Sequence, residues 1–85
     1  MGIINFLKRV TNRDDFVTMR PEAQALYIYL VLSANEDGYS DQLQISMFKA
    51  QAEVDDARTL QDRDFIVVDT DVTLVVGLAR ANGED

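Results

Sequence analysis

Eight consecutive apolar residues, Ala25-Leu26-Tyr27-Ile28-Tyr29-Leu30-Val31-Leu32, stand four residues after Pro21 and constrain this chain more than any other feature. Pro21 suits the first turn of a helix, where the amide it lacks would have no partner. Glu22 beside it suits the positive end of the helix dipole. The expected helix covers residues 21–34. Leu26, Leu30 and Ser33 form one stripe, Ala25, Ile28 and Leu32 a second, and Tyr27, Tyr29 and Val31 close the circumference. A helix that is apolar on all sides is normally central. In a chain of 85 residues, one domain at most, one of those faces is also open to an oligomer or partner contact, where tyrosine is enriched. The run is far too short to span a bilayer.

The flanking segments supply the remaining elements. Ile3, Phe6, Leu7 and Val10 recur at helical spacing in an N-terminal amphipathic arm, residues 1–13. The arm can dock back on the domain, pair with a second chain, or lie on a membrane surface. Isolated helices this short are marginal in water, which favours docking or pairing, and a membrane role would want more cations than Lys8, Arg9 and Arg13. Asp14-Asp15-Phe16 reads as a single turn. Asn35-Glu36-Asp37-Gly38 ends the central helix, with Gly38 free to turn left-handed. A second helix, capped by Ser40 or Asp41, carries Leu43, Ile45, Met47 and Phe48. A third runs from Glu53 or Asp55 to near Asp64 with Val54, Ala57 and Leu60 as its apolar stripe. Residues 65–68 and 72–76 are β-branched runs around the polar turn Asp69-Thr70-Asp71. Residues 79–85 carry no pattern and are expected to fray. The expected fold is α+β, a small winged helix-turn-helix over residues 14–78 with three helices and a C-terminal hairpin wing.

Several chemistries are excluded or disfavoured. There is no cysteine and no histidine, so disulfides, thiolate metal sites and the commonest general base are absent. The acidic pairs Asp14-Asp15, Glu36-Asp37 and Asp55-Asp56 fall at helix boundaries, where capping accounts for them. Asp37-Gly38 lacks the spacing of a calcium loop. No phosphate loop or nucleophile elbow occurs. No enzyme, cofactor or metal is expected. Lys8 and Arg9 follow the apolar residues of the arm, the reverse of a signal peptide, which points to a cytosolic protein.

Charge bears directly on partners. The net charge is −7, and residues 21–85 hold four basic and thirteen acidic side chains. A field of that sign repels phosphate backbones. The third helix, which in a DNA-reading winged helix faces the major groove, surrounds Arg58 and Arg63 with five carboxylates. Candidate DNA contacts are therefore Lys8, Arg9 and Arg13 of the arm, with Arg58 and Arg63. Direct binding is expected to be weak or indirect.

Asp15-Phe16, Met19, Ala23-Gln24-Ala25-Leu26-Tyr27, Leu30, Ala34 and Glu36-Asp37-Gly38 occur in an order that resembles the N-terminal winged-helix domain of phage replisome organisers and DnaD-like replication initiation proteins. Asp55-Asp56 before Leu60, then Phe65-Ile66 and Val72-Thr73-Leu74-Val75-Val76, continue the resemblance to about residue 82. The family's His- and Trp-containing segment after the second strand is reduced here to Arg80 and Asn82. Basic positions around the second and third helices are replaced by Gln42, Gln44, Gln61, Asp62 and Asp64. The resemblance implies a replication-initiation module in the cytoplasm of a bacterial host, acting through self-association and protein partners. Ile3, Phe6, Leu7, Tyr27, Tyr29 and Val31 are the expected contact residues. Two other uses of the same scaffold are open: an acidic inhibitor encoded by a phage or mobile element that covers a basic host surface, and a small dimeric transcriptional regulator.

Overall fold

Residues 2–83 are described in the structure, a computed structural model. Among them are six helices and three short strands: α1 (Gly2–Thr11), α2 (Asp14–Val17), α3 (Pro21–Ser33), β1 (Tyr39–Ser40), α4 (Leu43–Ala50), α5 (Val54–Asp62), β2 (Ile66–Val68), β3 (Thr73–Val75) and α6 (Leu78–Gly83). The molecule is α+β. Among the described residues no helix is long and apolar enough to cross a membrane.

The apolar helix α3 resolves into one fully buried face and two partly covered ones. Ala23, Leu26, Tyr27, Leu30 and Val31 are buried, spaced by three and four residues as one side of a 3.6-residue helix requires. Phe16 of α2, Tyr27 and Phe65 meet edge to face with ring centroids 5.5–5.8 Å apart, a geometry the ring quadrupole favours. Burial pushes the Tyr27 phenol up, because a phenolate there would lose its hydration. The helix stops where Ala34 turns extended. Asn35 Oδ1 then accepts the amides of Asp37 and Tyr39, both at 3.0 Å. Gly38, at φ +86°, completes the turn; a Cβ there would lie 3.2 Å from the Val75 carbonyl.

The sheet is antiparallel in the order β1-β3-β2. Val67 pairs with Leu74 across the hairpin, and Tyr39 pairs with Leu74 on the other side. Strand β1 is one element that periodicity misses, since two residues carry no alternation to read. Ser40 is buried yet satisfied, its hydroxyl 2.6 Å from that of Ser33.

Helices α4 and α5 meet at Gln51, whose left-handed backbone ends α4. The start of α5 is pinned by Asp56, which is 2 % exposed. Its carboxylate accepts the Glu53 amide at 2.9 Å, and Arg20 Nε lies 3.6 Å away. Arg20 also reaches Glu22 at 2.8 Å and Glu53 at 3.4 Å, tying the first turns of α3 and α5 together. Its hydrogen bond to Glu22 raises the guanidinium and holds the Glu22 carboxyl below its ordinary value.

One open choice is decided and two sequence expectations change. Of the readings left for the arm, the structure shows docking: α1 buries Phe6 and Val10 and packs along α6 of the same chain. The tail, expected to fray, forms α6 as far as Gly83, with Leu78 and Ala81 buried; Glu84 and Asp85 lie outside the described residues. Val54 is 65 % exposed, because it opens α5 on the outer side and leaves Ala57 and Leu60 as the buried stripe.

Candidate functional site

Helix α4 is built inside out. Its sequence, LQISMFKA, buries the small residues Ser46 and Ala50, half-buries Leu43 and Met47, and exposes Ile45 and Phe48. Ser46 and Ala50 face α3, where short side chains let two helices approach. Successive residues turn by about 100°, so Ile45 and Phe48 fall on the far side from Leu43 and Met47. Phe48 is 86 % exposed, and Leu32, from the last turn of α3, is 71 % exposed.

Leu32 and Phe48 border two neighbouring hollows, and Ile45 lines a third beside the β2–β3 hairpin. A hollow of about 370 Å³ is lined by Tyr29, Leu32, Ser33, Gln42, Ser46 and Lys49. A shallower depression is lined by Gln44, Met47, Phe48, Lys49, Gln51 and Ala52. Lys49 lines both and joins them, with its ammonium 5.8 Å from the Tyr29 ring, within cation–π range. Helix α4 contains no Asp or Glu. Its outer face is therefore apolar, amide-rich and singly positive on a chain of net charge −7.

The partner residues expected from the sequence divide into two groups. Phe6, Tyr27 and Val31 are buried in this chain's own core, so none offers surface to a second molecule; α1, packed along α6, turns Phe6 inward, and Phe16 and Phe65 pack edge to face on Tyr27. Ile3, Leu7 and Tyr29 are half-buried, and only Tyr29 borders the α4 surface. Leu32, Ile45 and Phe48, expected on the apolar sides of their helices, are exposed instead. A helical wheel of α4 carries that signal: Leu43 and Met47 lie opposite Ile45 and Phe48, and one core can claim only one side.

The arginines expected to touch DNA are mostly engaged. Arg13 chelates Asp15 through Nε at 3.0 Å and Nη2 at 2.6 Å, and its guanidinium covers the Phe65 ring at 4.7 Å. Arg63 donates to the Asp15 carbonyl and, at 3.2 Å, to the Thr18 hydroxyl, binding the end of α5 to α2. Arg58 stands on the exposed face of α5 beside Asp55 at 3.5 Å. Lys8 and Arg9 remain, both exposed on the last turn of α1. Among the described residues no group of three or more carboxylates is placed to hold a metal ion.

The chain matches no family model, no curated protein and no solved structure.

Proposed function

We propose that this chain is a winged-helix module of the replication-initiation type, acting in the cytoplasm of a bacterial host by self-association through the α4 surface. The order helix α3, strand β1, helices α4 and α5, then hairpin β2–β3, with β1 against β3, supports the winged-helix reading. The replication role rests on the sequence resemblance over residues 14 to about 82.

The observation that carries self-association is Phe48 at 86 % exposure. Burying a phenylalanine is worth about 1.5–3 kcal/mol, and α4 leaves that gain unclaimed within one chain. The occupant favoured here is a second copy. Two molecules of charge −7 repel each other over most of their surfaces, and they meet at least cost where both lack carboxylates. A two-fold contact of α4 on α4 would set Phe48, Ile45 and Leu32 against their equivalents.

Light scattering on the intact chain tests this. A dimer or larger species at high micromolar concentration is expected, and Phe48→Ser with Ile45→Ser should return a folded monomer, since both side chains are exposed. A wild-type chain that stays monomeric throughout overturns the reading.

The outer face of α5 and the hairpin tip favour a second use. Glu53, Asp55, Asp62, Asp64, Asp69 and Asp71 are all exposed there, a surface suited to a basic protein and ill suited to an operator. A salt-sensitive complex with a basic host replication protein, lost on charge reversal at Asp55 and Asp62, is its test. Retardation of duplex DNA at low salt would instead revive the transcriptional regulator.

A further inference from the structure

Apart from the exposed pair at Arg58, each arginine in the body of the molecule is held by a close acceptor: Arg13 by Asp15, Arg20 by Glu22, Glu53 and Asp56, and Arg63 by a backbone carbonyl. Arg9 and Arg80 break the pattern. Among the described residues neither has a carboxylate within 4.0 Å, although the chain holds 15 acidic residues. They come from opposite ends of the sequence, and the packing of α6 on α1 brings them to one pocket of about 300 Å³, lined by Phe6, Arg9, Gly77, Arg80 and Ala81. A cation in the last turn of a helix is favoured by that helix's own carbonyls. That accounts for each arginine separately, and not for two guanidiniums on one cavity.

The floor of the pocket is open because residue 77 is glycine. At φ +84°, a Cβ on Gly77 would sit 3.3 Å from the Phe6 ring. The cavity is thus a recess lined by Phe6, Gly77 and Ala81 together with two arginines.

We infer that Arg9 and Arg80 form a binding site for the phosphate group of a small phosphorylated molecule. A guanidinium presents parallel N–H donors that match phosphate oxygens, and two guanidiniums balance the charge of one phosphate near neutral pH. The pocket volume lies at the lower end of the range for small-molecule sites. A nucleic-acid strand fits the surroundings less well. On either side of Arg80 in α6, Ala79 and Asn82 border a second recess also lined by Glu36 and Asp37, so a polyanion leaving the pocket in that direction meets carboxylates. The site is separate from α4 and does not depend on self-association.

The test follows the Arg9 and Arg80 Nε–H resonances of the intact chain at low ionic strength during titration with inorganic phosphate. Acetate at matched ionic strength and a short single-stranded oligodeoxynucleotide serve as the other arms. Saturable shifts with phosphate and none with acetate are expected. Arg9→Gln and Arg80→Gln should each weaken phosphate binding about tenfold, the loss of one charge-assisted pair, with unchanged circular dichroism. Equal shifts with acetate, non-saturating shifts, or binding indifferent to both substitutions would overturn the site. Oligonucleotide binding tighter than phosphate, and lost in the same variants, would overturn the small-molecule occupant in favour of a phosphodiester chain.

Discussion

Replacing Leu78 with alanine should cost the domain about 3 kcal/mol, and the number follows from where α6 sits. Leu78 is 1 % exposed, and α6 packs against α1. Buried Leu→Ala changes cost about 2.7–5 kcal/mol, more where the cavity cannot collapse. A six-residue helix at the edge of the fold can relax inward, which favours the lower end of that range. A chain of 85 residues has a total stability of about 4–13 kcal/mol at the usual value per residue, so the loss is a large share. With a urea slope of about 1 kcal/mol per molar, the unfolding midpoint should fall by about 3 M. Urea unfolding followed by far-ultraviolet circular dichroism reads the shift. Arg80→Ala, on the exposed side of the same helix, is the control: arginine and alanine have similar helix propensity, so its cost should stay within about 0.5 kcal/mol. If Leu78→Ala moves the midpoint no further than Arg80→Ala, α6 is not docked. The pocket between Arg9 and Arg80 would then go with it.

Three further outcomes are expected. Asp56→Ala removes the acceptor of the Glu53 amide and a partner of Arg20; a loss of about 1–3 kcal/mol in denaturant unfolding is expected, and a change within the range of surface substitutions would count against the role given to Asp56. Gly38→Ala forces an L-residue to φ +86° with its Cβ 3.2 Å from the Val75 carbonyl, so thermal unfolding should show a loss of at least about 1 kcal/mol; an unchanged Tm would contradict the turn. The Tyr27 phenol is raised by burial, so its share of stability is complete below its ordinary value of about 10 and declines as pH rises above it. Tyr27→Phe should soften the alkaline fall of Tm, and identical pH profiles for the two proteins would refute that assignment.

The central helix, the acidic glycine turn and the hairpin were legible because each is marked locally. Pro21 and the apolar run set α3, Gly38 supplies the positive φ of its exit, and β-branched runs flank a polar turn. Strand β1 was not legible, because two residues become a strand only when β3 offers its edge. Helix α6 was missed for a related reason: short helices draw their stability from packing rather than propensity, and Leu78 and Ala81 acquire meaning only with α1 beside them. The exposed surface of α4 was half legible. Its wheel shows two opposed apolar sides, but not which of them the core takes.

By itself, then, the sequence determined the α+β class, the order of the main elements, the acidic balance, and the absence of cysteine and histidine chemistry. Tertiary structure alone decided which apolar residues face solvent and, among the described residues, which cations stand without carboxylates. It buried Phe6, Tyr27 and Val31 and left Phe48, Ile45 and Leu32 outside. It also closed Arg13 and Arg63 into the frame while bringing Arg9 and Arg80 to one pocket. The physical reason is range. Turn chemistry and helical periodicity act over a few neighbouring residues, whereas burial and ion pairing depend on contacts between segments far apart in the chain.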